Sequence, residues 1–249
     1  MSKHTDYKTS RWFVGATPFA GFILFYALYW GIYWLAPGFH ETCLRGEDQG
    51  VEWLTFVCFF AAFLVLLCSM VFRAKMSRLA LLYLGLMALF YFVCAGEEIS
   101  WGQRVLGFET PPTLAASNDQ GEFNIHNLKF DHFHPKDALW LIRGFGVIAP
   151  LLLLPWMRKP NSCLHRYIPP PRLVPCFLFP EIINATDDAL GGWLASHQGE
   201  ETINIVRLQS DELQEMYFGV CVLLGVWRIY QAWRRYEPAS VGKGSASDA

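Results

Sequence analysis

Two adjacent carboxylates, Glu97 and Glu98, close a long apolar run in the stretch CAGEEISWGQRVLG. An acid at the rim of an apolar segment can serve as a general base or as a metal ligand. Arg104, a short step further on, has the planar charge needed to clamp a phosphate or an oxyanion, and Gln103 can contact a substrate. A second polar cluster follows in NDQGEFNIHNLKFDHFHPKDAL. Its side chains can bond a metal, or sugar and phosphate oxygens. His126, set between Asn124 and Asn127, is the better ligand candidate there. His132 and His134 can converge on a metal from an extended segment, but HFHPKD reads equally as a turn and a cap. No GxSxG, HExxH, P-loop or dinucleotide-binding glycine pattern occurs.

More acids repeat at helical spacing. Asp48, Glu52 and Thr55 fall on one helical face, as do Glu181, Asn184 and Asp188, and likewise Asp211 and Glu215. Read as a helix, the motif puts Glu97 on a face with Ser100 and Arg104 and points Glu98 elsewhere. Ionised acids facing lipid are costly, so these stripes are expected to face the bundle interior or a wet cavity. Close carboxylates repel, so one must take a proton, bind a cation or pair with arginine; Arg104, Arg143 and Arg207 are the available partners. The expected ligands of a divalent metal ion are Glu52, Glu97, Glu98, His126, Asp187 and Asp188. Gln103, Asn124, Asn127, Glu181 and Glu215 are expected to contact substrate. Glu97, Glu98, His126 and Arg104 are the candidate catalytic groups. A plainer reading competes for some of these. Asp48, Glu52, Asp211 and Glu212 begin helices, where the dipole and capping favour acids. Glu97 and Glu98 end one, where the dipole disfavours them.

The elements that must hold these residues are membrane helices. The chain is 53% hydrophobic and 16% aromatic, and 17% of its 249 residues are charged, against about 25% in soluble domains. Mean hydropathy is +0.23. The apolar residues come in blocks long enough to cross about 30 Å of hydrocarbon. The expected fold is all-α: a polytopic transmembrane bundle of about six spans in a single domain. The spans are 12–36, 51–72, 79–98, 138–156, 173–190 and 212–233. The fifth is the weakest, because Pro180, Glu181, Asn184, Asp187 and Asp188 fall inside it; a broken or re-entrant helix is the alternative. Long polar loops are expected at 99–137 and 191–211.

Basic residues set the expected orientation. Thirteen Lys and Arg, including Lys75, Arg78, Arg158, Arg166 and Arg235, fall on the side of the termini, and five fall opposite. Both termini are therefore expected in the cytoplasm and both long loops outside, in a bacterial inner membrane. A net charge of −2 speaks against a nucleic-acid partner. The partners expected are the lipid bilayer and a lipid or lipid-linked substrate. The first apolar block is too long for a cleaved signal and reads as a retained span. Most of the seven cysteines sit in apolar segments, and no disulfide framework is legible. Asn184-Ala185-Thr186 is a glycosylation sequon placed inside a span, so it is expected to stay unused.

GEEISWGQRVLGFETP followed by NDQGEFNIHNL resembles the motif pair of an uncharacterised family of bacterial polytopic membrane proteins, EEISWGQR and then NxQGExNxHN. Glu97–Arg104 match the first part. Asn118, Gln120, Gly121, Glu122, Asn124, His126 and Asn127 match the second. The resemblance implies a membrane protein and supplies no activity. Three functions fit the residues: an enzyme acting on a lipid or lipid-linked substrate at the outer leaflet, a cation- or proton-coupled transporter, and a non-catalytic assembly or interaction protein. The cytoplasmic halves of the spans carry almost no ionisable residues, which speaks against a through-path for transport.

Overall fold

The computed structural model describes residues 6–44, 49–118, 121–125, 127–128, 139–159, 162–198 and 200–236, with the side chains of 6–17, 41, 73, 187–188 and 190–211 outside that description. Among the described residues the regular structure is helical, with no strand and an isolated bridge between Asn118 and Leu128. The long helices are α1 (Asp6–Leu35), α3 (Gly50–Ser69), α4 (Arg78–Glu98), α10 (Val174–Gln198) and α11 (Glu200–Arg235). Short helices join them: α2 (Pro37–Cys43), α5 (Gln103–Leu106), α6 (Pro112–Ala115), α7 (Leu139–Arg143), α8 (Ala149–Leu152) and α9 (Leu154–Met157).

Among the described residues three helices are long and apolar enough to cross a membrane, over Pro18–Leu35, Gly50–Phe72 and Arg78–Glu98. In α4 both faces are apolar. Ala80, Leu84, Ala88, Tyr91 and Ala95 are buried, while Leu79, Leu82, Leu86 and Leu89 face out at helical spacing. Water would not support that outer face, whereas lipid does. Ser77 starts the helix by accepting a hydrogen bond from the Ala80 N–H at 3.1 Å.

α3 and α4 form an antiparallel pair, with Phe59 stacked near Tyr91 and Met70 against Gly85. α11 runs parallel to α3. Gly219 meets Thr55 and Cys58, and one helix-length on, Tyr230 meets Phe72. α10 packs antiparallel to α11, and Phe179 and Tyr217 hold α1 through Phe19 and Phe22. The Tyr217 hydroxyl donates to the Phe22 carbonyl at 3.0 Å.

Two expectations are corrected. The stretch 191–211, expected as a loop, continues α10 and begins α11. Polarity ends an apolar run but does not end a helix, and this stretch lacks proline and is rich in helix formers. The alternative of a helix broken at Pro180 is not seen, since α10 runs through it. The irregular backbone lies earlier, at Ile168–Pro171, where three prolines cannot donate into a helix. Ile168 and Pro169 are buried there, and Pro169 packs on Gly225 of α11, so this backbone is shielded by protein.

The segment expected as the fourth span is also not one regular helix. A π-helical turn over Gly144–Ile148 separates α7 from α8. It sits where Gly146 meets Phe177, a close approach that a side chain at 146 would prevent.

Candidate functional site

α4 ends at Glu98 because the next residues reverse the chain. Ser100, Trp101 and Gly102 all take positive φ, at 46°, 56° and 76°. Left-handed backbone at serine and tryptophan is strained, typically by about 1–3 kcal/mol each, and persists where surrounding bonds over-determine it. Here they do. The reversal lays the Trp101 ring against Gly96, so that a Cβ at 96 would come within 2.9 Å of it. It also points the indole N–H at Glu97, which accepts it on Oε1 at 2.6 Å. Glu97 Oε2 accepts the Ile125 N–H at 2.5 Å. Glu97 is 7% exposed, and its carboxylate ties the end of α4 to the second motif.

The remaining motif residues lock onto one another. Ser100 Oγ donates to Glu122 Oε2 at 2.5 Å, and Asn124 Nδ2 donates to the same oxygen at 3.0 Å. Arg104 pairs with Glu122 Oε1. Asn118 Nδ2 donates to Asn124 Oδ1 at 2.7 Å, and Asn118 Oδ1 accepts the Glu122 N–H at 3.2 Å. Gln103 Oε1 accepts the Phe123 N–H at 2.8 Å, and its amide donates to Thr110 at 2.7 Å. The two motif halves are thus the two sides of one hydrogen-bonded cap over the end of α4.

This geometry alters the face assignment made from spacing. Glu97, Ser100 and Arg104 do not form a helical stripe, because the helix stops and the backbone inverts between them. Arg104 meets Glu122, a residue of the second motif. Glu122 and Trp101 were legible as positions of the matched motifs, without the bonding roles they have here.

Glu97 and Glu98 at the end of α4 and Glu215 on α11 all fall within electrostatic range of Cys94. Glu98 and Glu215 are half-buried. Glu52, also half-buried, stands one turn before Thr55, which packs at the level of Gly219 on α11. Glu52, Glu98 and Glu215 each make further interactions. Asn127 is half-buried and also engaged.

Glu181 pairs with Arg143, its Oε1 accepting the guanidinium Nε–H at 2.5 Å. Arg143 also covers the rings of Trp140, at 4.8 Å, and Phe218, at 5.8 Å. Both partners keep some exposure, so Arg143→Leu is expected to cost about 1–3 kcal/mol, below the value for a fully buried pair. Unfolding of Arg143→Leu, Glu181→Leu and the double variant in detergent checks this. The double variant should recover most of the loss, because no unmatched charge remains.

Among the described residues, no three His, Cys, Asp or Glu side chains gather as metal ligands. His126, Asp48, His132 and His134 lie outside the described residues, as do the side chains of Asp187, Asp188 and Arg207. The class the fold defines is an all-helical protein with three helices able to cross a membrane. No family model matches the chain, and neither a curated protein nor a solved structure matches it.

Proposed function

We propose that the chain is an integral membrane protein of about six crossings whose outer mouth carries a carboxylate site acting on a lipid or lipid-linked substrate. The observation that supports this reading is that acids from two helices, Glu97 and Glu98 on α4 and Glu215 on α11, fall within electrostatic range of one thiol, Cys94, at the end of α4 that carries the motif cap. The adjacent glutamates divide their labour. Glu97 spends both oxygens on the cap and is a positioning residue. Glu98 and Glu215, with Glu52 beside them, are the acids proposed for general acid–base work. A divalent cation, if the site uses one, would add His126, Asp187 and Asp188 to these acids. Entry from the outer leaflet places the substrate's polar head at the mouth and its tail along the apolar outer faces of the helices.

The orientation rests on the basic count, with termini in the cytoplasm of a bacterial inner membrane and the cap outside. Ile125 is the suitable reporter, being 55% exposed where Asn118 is buried. With the exposed Cys43 and Cys163 removed, an Ile125→Cys variant should react with impermeant thiol reagent from outside intact cells. Reaction from the cytoplasmic side alone would invert the assignment.

A second reading, a non-catalytic assembly protein, is favoured by one specific observation: Glu97, Ser100, Gln103, Glu122 and Asn124 already bond within the cap. Lipid analysis of cells carrying wild type, Glu98→Gln or Glu215→Gln separates the two. The enzyme reading expects the wild type to change a lipid pool that both folded variants leave unchanged. Identical lipid profiles from folded, equally abundant proteins would reject it in favour of assembly.

A further inference from the structure

The end of the molecule away from the carboxylates has the opposite character. Residues 53–96, 139–180 and 216–236 contain no Asp or Glu. They carry Lys75, Arg78, Arg158, Arg166 and Arg235 among other cations. At the mouth, Arg104 and Arg143 each hold an acid. Among the described residues none of these five makes an ion pair.

Packing brings two of them to one point. Lys75, in the turn after α3, donates from Nζ to the Tyr236 carbonyl at 2.8 Å. Arg166, in the turn Cys163–Arg166, lies with its guanidinium 3.7 Å from the centre of the Tyr236 ring and 4.9 Å from that of Trp233. The Trp233 indole N–H donates to the Arg166 carbonyl at 2.8 Å, which fixes that turn to the end of α11. Three separate segments therefore meet at Tyr236, with Lys75 at its carbonyl and Arg166 over its ring. Stacking occupies the faces of the guanidinium and leaves its edge N–H groups for an acceptor.

We propose that Lys75 and Arg166 form a binding site for the headgroup phosphate of an anionic phospholipid. Neither cation pairs with an acid among the described residues, and a phosphate beside Tyr236 can accept from both. The adjoining surface selects a lipid over a free anion. Val71 and Leu79, flanking Lys75 in the chain, are 78% and 74% exposed, an apolar surface on which acyl chains can lie. The inference uses the membrane embedding of the chain but not the carboxylate site, and its test needs no turnover.

The test uses the purified full-length protein in neutral detergent, titrated with phosphatidylglycerol, phosphatidylcholine or inorganic phosphate. Thermal unfolding and native mass spectrometry read the binding. Phosphatidylglycerol should raise the unfolding temperature and stay bound, with phosphatidylcholine and phosphate doing neither. Each of Lys75→Gln and Arg166→Gln should weaken its binding about fivefold, as expected for loss of one basic residue near a headgroup. Arg158→Gln, a cation outside the Tyr236 site, should weaken it less. If Arg166→Gln fails to fold through loss of its stacking, Lys75→Gln decides alone, since it removes one bond at a helix end. Equal binding of the two lipids, equal stabilisation by free phosphate, or unchanged binding by Lys75→Gln would each overturn the proposal.

Discussion

Glu97→Ala is expected to destabilise the protein more than any other single change in the motif pair. It leaves the Trp101 indole N–H and the Ile125 N–H without their acceptor. An unmatched donor costs about 1–3 kcal/mol when buried, and both donors here are part-buried, so the loss should lie in the lower half of roughly 2–6 kcal/mol. Glu97→Gln should lose about half as much, because the amide retains one acceptor but turns its NH2 toward the other donor. The expected order of stability is wild type, then Gln, then Ala. Denaturant unfolding in detergent measures it, and limited proteolysis between residues 103 and 128 reports whether the cap has opened. Equal stability of Ala and wild type would mean that the cap is held elsewhere.

Gly146→Ala is expected to be comparably severe for a packing reason. The new Cβ would lie 2.1 Å from a ring carbon of Phe177, with two more ring atoms within 2.4 Å. Phe177 is fully buried and set edge-on to Phe145, so its ring has no free space to enter. Overpacking of this kind costs about 1–3 kcal/mol, and a rigid ring puts this case at the upper end or beyond. Phe177→Leu should cost stability alone yet recover part of it in the Gly146→Ala background. Strict additivity of the two changes would show that the clash is relieved by helix movement instead.

The apolar helices were legible because length and composition fix them. The expected 51–72 and 79–98 lie within a few residues of the apolar stretches Gly50–Phe72 and Arg78–Glu98. Arg143 was among the expected partners of an acid, and it pairs with Glu181. What spacing could not show was where helical geometry stops. Ser100 and Trp101 have no intrinsic preference for left-handed backbone, so their reversal came from tertiary bonds to Glu122 and Glu97. The stripe drawn from Glu97 to Arg104 therefore dissolved. The stretch 191–211 was hidden for a related reason: a polar helix outside lipid carries no apolar period to announce it. His126 and Asp188, central to the expected metal site, lie outside what the structure describes at the level of side chains.

The continuation of α10 and α11 past the mouth has an electrostatic consequence. α11 is 36 residues long, and at 1.5 Å per residue it measures about 54 Å. On the six-span reading, its buried stretch from Leu213 to Trp233 matches about 30 Å of hydrocarbon. The part before it stands about 20 Å proud of the oily layer, and the headgroups cover roughly the first 5–7 Å of that. Mobile ions damp a surface field over about 8 Å at physiological salt. On that reading the first residues of α11 would sit more than one such length beyond the headgroups. Whatever meets the tip is held by bulk electrolyte conditions, while the Glu98 mouth feels the charge of the lipids around it. Salt should therefore act on the two ends of this hairpin as on two different solvents.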